Sequence, residues 1–354
     1  MTSIGRSDSS ERRDLLIARP GARFQCRGDG LCCTDLHALG PLTRDESRDL
    51  QSVLPDALAW NEEFMGDCLR VDARGRCLQL ERDGGCGIQR RFGVDHKPIG
   101  CRRFPYGLVD TPLGRRVTTE HRCPCRSLGG DLRPPIDLAD AAACLADRDG
   151  QIEADADVPD AVPISRTLTA RFSDYAVIEM DMLRRLAGGA RAEDVLDADP
   201  LPECARLEWT ACGREFVGMQ DGTAGGVALA WFGEALLERT TGTPPTLRDR
   251  PWRSAFERGV ARTPVAADPD QIVNDWLADE LWMLRWLDWE GGHFAAGRSE
   301  LATRLDLARA LMRRLDALGL RGDQSAAEAV MLAGLAGCTT RWPLQVADFV
   351  DRSE

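Results

Sequence analysis

Nine of the thirteen cysteines in this 354-residue chain fall between Cys26 and Cys125, and eight of those follow a regular order. It runs F-x-C-x5-C-C at Cys26, Cys32 and Cys33, then C-x8-C-x-I at Cys77 and Cys86. It continues as K-P-x-x-C-R-x-F-P around Cys101 and closes on Cys-Pro-Cys at Cys123 and Cys125. Thiolates are soft ligands that select zinc or iron–sulfur clusters, and four of them complete either kind of site. The eight would supply two four-thiolate sites, or one cluster with the remainder structural. Neighbouring Cys32 and Cys33 are expected to point apart and to serve different metals or roles. Cys123 and Cys125 can approach one metal across Pro124. The competing chemistry is disulfide formation, and spacing alone leaves the pairing open.

The compartment bears on that choice. The first fourteen residues contain no apolar run, and no stretch approaches eighteen apolar residues. The expectation is a cytoplasmic chain without secretory signal or membrane span, in which thiols stay reduced and metal ligation prevails over disulfides. With 43% hydrophobic and 29% charged residues the chain is globular, long enough for one large domain or two of ordinary size. A net charge of −12 argues against nucleic acid and leaves a protein partner or protein substrate as the expected macromolecular contact. The segment from Arg82 to Arg126 nevertheless has ten basic and four acidic residues, a local excess of +6. Lys97, within it, is the only lysine, which is attributed here to a bias toward GC-rich codons.

The elements that must position the thiols are short. Residues 1–20 are polar and expected to be disordered. Residues 21–130 form the expected cysteine-cluster metal-binding domain, and 131–354 a helical domain, with a linker over 127–135. The fold class is therefore α+β: a small cysteine-rich unit of short strands and loops, followed by a mostly α-helical one. A strand is expected over 22–26. Thr43 and Glu46 read as a capping box that opens a helix to about Leu58. Hairpins are expected over 68–80, turning at 73–75, and over 107–120, turning at 111–114. Helical spacing marks 164–186, 201–212, 225–239, 270–289, 301–318 and 324–335.

The three cysteine motifs together resemble the YkgJ-type cysteine-cluster family, a zinc- or iron-chelating domain, over about Phe24 to Cys125. The resemblance implies metal ligation by Cys26, Cys32, Cys33, Cys77, Cys86, Cys101, Cys123 and Cys125, with Cys68 outside the pattern as an extra core thiol. The layout is also similar to that of the flagellin lysine-N-methylases, which implies a protein lysine-N-methylase-like transferase as one alternative. No C-x3-C-x2-C and no convincing glycine-rich strand–helix turn accompanies it. A second alternative is a zinc-folded adaptor whose acidic helices bind a protein. The absence of any C-x-x-C tips the metal slightly from zinc toward an iron–sulfur cluster.

Arg102, Arg103 and Arg122 are expected to donate hydrogen bonds to the thiolates, and metal removal to unfold residues 22–126 while sparing the helices. His121 either replaces a thiolate or, the favoured reading, lies at the surface on a strand end. His37 and His96 are expected at the surface and His293 in a loop. Trp282, Trp286 and Trp289 would share one helix face in a helix–helix core. Glu179 and Asp181 lie on different faces and make a poor acid–base pair. Cys144, Cys204, Cys212 and Cys338 read as small buried hydrophobes.

Overall fold

The computed structural model describes residues 15–36, 39–62, 64–203 and 208–339, together with 342, 345 and 346. Residues 1–14 of the expected disordered terminus, His37 and Cys204 lie outside the described residues. The molecule mixes helix and strand, with thirteen helices and small sheets among the described residues, which fits the α+β class.

A four-stranded sheet in the order β1-β5-β4-β6 organises the chain. Its strands are β1 (Leu16–Ala18), β4 (Tyr106–Thr111), β5 (Gly114–Thr119) and β6 (Ala156–Asp157), and β4–β5 is the hairpin expected from the turn at 111–114. Side chains alternate along each strand. Leu108 and Val117 face each other across the hairpin and are buried on one side with Ala141 and Leu145. Their neighbours Val109 and Arg116 pair on the opposite side. Two corrections follow at once. Leu16–Ala18 belongs to the ordered sheet, running parallel to β5. The expected strand over 22–26 reduces to a single bridge between Arg23 and Pro135.

The smaller pairs are β2 (Leu58–Asn61) with β3 (Gly66–Leu69), and β7 (Ala161–Pro163) with β8 (Thr169–Arg171). The hairpin expected over 68–80 is thus displaced. Cys68 pairs back to Ala59, while the turn at Gly75 is closed by one Val71–Cys77 bridge.

The short helices of the cysteine region are α1 (Arg44–Val53), α2 (Gly87–Phe92), α3 (Ile99–Arg103), α4 (Pro124–Ser127) and α5 (Leu138–Leu145). The capping box forms as expected, with the Thr43 hydroxyl accepting from Glu46 N–H and the Glu46 carboxylate accepting from Thr43 N–H. Helix α1 stops before Leu58 because Pro55 disfavours helix for the residue ahead of it.

The later helices are α6 (Phe172–Ala187), α7 (Ala192–Leu196), α8 (Trp209–Gly218), α9 (Ala224–Thr241), α10 (Arg253–Ala261), α11 (Pro269–Met283), α12 (Phe294–Ala317) and α13 (Gly322–Gly337). The helix expected over 270–289 breaks at Leu284, whose φ of 57° is left-handed. Trp286 therefore sits on a separate turn and shares no helix face with Trp282, although both are buried in the same core. Among the described residues no helix is long and apolar enough to cross a membrane.

The sheet and the cores run across residue 130. Strand β6 joins β4 of the same sheet, and Leu31, Leu36 and Leu128 share one apolar core with α8, α9, α12 and α13. The stretch expected as a linker is packed, with Ser127, Leu128 and Arg133 buried. Arg116 fastens the sheet to the helices. It is buried, makes two bonds of 2.8 and 2.7 Å to Glu179 on α6, and lies 3.9 Å from the Trp282 ring. Such a pair holds because breaking it strands a buried charge. Asp181 is exposed and paired with Arg184, so Glu179 and Asp181 form no acid–base pair.

Candidate metal centre

Two loops bring the first group of thiols together. Cys32 and Cys33 lie on a single 3-10 turn after Gly30, and Cys86 precedes α2. The turn 81–86 packs directly on the segment 28–31. A Cβ on Gly84 would lie 2.4 Å from the Gly28 carbonyl oxygen, and φ there is 87°. Only glycine meets both demands. Cys77 donates its N–H to the Cys33 carbonyl at 2.9 Å, and α3 carries Cys101. Helix α3 is held from α1: the Glu46 carboxylate that closes the capping box also accepts from Ile99 N–H at 2.6 Å.

The result is a nearly closed cavity of about 10 Å³ lined by Cys32, Cys33, Cys77, Cys86, Cys101 and Lys97, with Leu39, Leu69 and Ile88 around them. The volume is close to one water-sized sphere. Cys32 and Cys33 do not diverge as expected. Cys33 contacts both the Cys32 and the Cys86 thiol, and all three line this one cavity. The thiols titrate apart. The Cys33 contact, then the Gln89 N–H and Lys97, bring Cys86 down to about 5 against its burial. Cys33 is pushed far up by its contacts with Cys32 and Cys86 and by burial, and Cys77 to about 11, mainly by burial. Burial alone would lower the Lys97 ammonium, but Cys32, Cys86, Cys101 and Cys33 outweigh it and hold it above its ordinary value. So many thiols in one apolar place resist joint ionisation unless a cation joins them.

The second group lies where the 26–31 segment meets α4. Asp29, Cys123 and Cys125 are buried, with one ligand atom from each all within 4.8 Å of one another. They are the one such set of three among the described residues. The Cys125 thiol donates to Asp29 Oδ2 at 2.6 Å and its sulfur accepts from Arg27 N–H at 3.1 Å. Cys26, exposed, contacts Cys125 from the solvent side. Cys125 is driven well above its usual range by Cys123 and by burial, although Cys26 pulls it down. Cys123 is raised too: its Cys125 contact lowers it, but burial, Asp29, Cys26 and Cys32 prevail. Cys32 thus acts on both groups. The eight expected thiols divide into five around the cavity and three with Asp29, a carboxylate that the motif spacing did not single out.

The donors suit a metal. Sulfur with one carboxylate oxygen matches zinc or iron, and every described cysteine is a free thiol. Around the cavity no three sulfurs fall within 4.8 Å of one another, so the five are spaced more widely than the Asp29 set.

The arginines expected beside sulfur go elsewhere. Arg102 donates to the Ala146 carbonyl, Arg103 to Asp155, and Arg122 to Glu120. Charge for the thiols comes from Lys97 and polar contact from backbone N–H groups. His121 is neither ligand nor surface residue. It is buried, with Nδ1 3.0 Å from Ser127 Oγ and Nε2 3.2 Å from Asp279. This resembles a serine–histidine–aspartate relay, but Ser127 has 0% exposure. Arg126 and Arg19 bridge Asp275 and Asp279 and, against burial, hold both carboxyls well below the usual range. His293 is likewise buried, capping α12 with Nδ1 accepting from Ala296 N–H. His96 is half-buried rather than exposed. Cys68 and Cys212 are buried and Cys144 partly so, whereas Cys338 is exposed beside Arg285.

Comparison with models of known families, with curated proteins and with solved structures finds no match for this chain.

Proposed function

We propose that this chain is a metal-binding protein whose clustered thiols hold zinc or an iron–sulfur cluster. The observation that carries the reading is the convergence of thiols from four separated segments, near residues 26–33, 77–86, 101 and 123–125, into two adjoining groups. Unpaired thiols at this density would repel one another once ionised; contacts with neighbouring thiols and burial raise Cys33 and Cys125, while Cys86 alone is lowered among those three. A divalent cation or cluster removes the conflict by displacing the protons. The resemblance of the spacing to the YkgJ-type cluster supports the same assignment. The site also stabilises the fold, since a structural tetrathiolate zinc site contributes roughly 10–16 kcal/mol, as much as a typical domain's whole stability.

Anaerobic purification followed by metal and acid-labile sulfide analysis tests the proposal. Stoichiometric zinc in a colourless protein, or iron with matching sulfide and visible absorption, is the expected result. A chain free of both metals, with all its clustered thiols open to alkylation, would overturn it.

A further inference from the structure

The two thiol groups differ in composition, and the smaller carries a distinct site. Asp29, Cys123 and Cys125 bring their ligand atoms within 4.8 Å of one another there, and Cys26, at the surface, adjoins them through its contact with Cys125. Asp29 is fixed for this task at both oxygens. Its Oδ1 accepts from Leu31 N–H at 2.8 Å, which locks the turn, while Oδ2 faces the Cys125 sulfur at 2.6 Å. Asp29 is 3% exposed and no arginine or lysine is paired with its carboxylate among the described ion pairs. The Arg258 guanidinium, on α10, donates instead to the Asp29 backbone carbonyl at 2.9 Å. A buried carboxylate held against thiols, with its cations directed at the main chain, is a geometry that a metal ion satisfies.

We propose that Cys26, Asp29, Cys123 and Cys125 bind a single divalent ion of the zinc class in a mixed sulfur–oxygen shell, separate from whatever the five-thiol cavity holds. This rests on the metal-binding reading above and divides it into two non-equivalent sites. Binding at this site displaces the thiol protons, about three per ion, with no change of oxidation state. Its tighter spacing suits one tetrahedral ion, in which neighbouring sulfurs share a metal at about 2.3 Å. The exposed Cys26 leaves an entry path from solvent, so this ion exchanges more readily than one enclosed by the cavity.

The test uses the full chain, stripped and then titrated anaerobically with zinc and, for its spectrum, with cobalt(II). Asp29→Asn keeps an oxygen for Leu31 N–H and removes the charge. Asp29→Cys supplies a fourth sulfur. The expected result is one equivalent whose affinity falls at least tenfold in Asp29→Asn, is restored in Asp29→Cys, and is unchanged in Cys338→Ser, at an exposed thiol outside both groups. Cobalt–thiolate absorption should rise in Asp29→Cys. Unaltered zinc affinity and cobalt spectrum in Asp29→Asn would overturn the proposal. Failure of the parent chain to bind either metal would instead overturn the broader metal-binding reading, so the two failures are distinguishable.

Discussion

Lys97 is the single lysine of the chain, and the structure gives that solitary residue a place among five thiols. Codon bias accounts for the arginines but not for this exception. A compact ammonium fits beside sulfur where a planar guanidinium would have to open the cavity. The consequence is a pH profile in the metal-free chain. Cys86, brought down to about 5, is a thiolate at neutral pH, whereas Cys77, pushed up to about 11, keeps its proton. Alkylation of Cys86 should therefore begin near pH 5 and precede that of Cys77, as followed by peptide mass spectrometry. Lys97→Met should move the Cys86 onset to higher pH, because the thiolate loses a neighbouring positive charge. An identical profile in the variant would remove Lys97 from the account. At this scale the sequence exposed the thiols but not Asp29 or the burial of His121. Both are ordinary polar residues whose roles depend on contacts made across the fold, Asp29 with Cys125 and His121 with Asp279.

The elements around the site are short, and glycine sets how closely they approach. Gly84 allows the 81–86 turn to rest on the Gly28 carbonyl, which carries Cys86 to Cys33. Gly84→Ala should cost about 1–3 kcal/mol from the left-handed backbone alone. It should also weaken metal retention at the five-thiol cavity, read as earlier metal release in a chelator challenge. Unchanged melting temperature and retention would show that the loop has another way to close. The capping box at Thr43 and the hairpin at 106–119 were legible because their signals are local: side chains reaching their own backbone, and a turn between alternating strands. The break at Leu284 was not. Its helical pattern of apolar residues continues through the break, and tertiary packing of Trp286 against Tyr175 and Phe294 decides the geometry.

In the whole molecule the thiol region and the helices are joined more closely than composition indicates. Arg258 and Arg262, on and just after α10, grip the backbone of Arg27, Gly28 and Asp29, while Asp35 accepts from Trp252 and from Gly225 at the start of α9. The expectation that metal loss would spare the helices must be revised on that ground. Chelation should raise hydrogen exchange in residues 26–36, 77–103 and 123–128 and also in α10, with α12 and α13 protected. Exchange confined to the first three segments would contradict this coupling. Composition located the thiols but not the joint, because the shared core uses leucines such as Leu31 and Leu128 that look the same in any context.

The most direct measurement is X-ray absorption at the metal edge of the anaerobically purified full chain. The account predicts a first shell dominated by sulfur, at about 2.3 Å for zinc, that loses sulfur when Cys86 and Cys125 are replaced by serine. A shell of nitrogen and oxygen alone, or one indifferent to those substitutions, would contradict it.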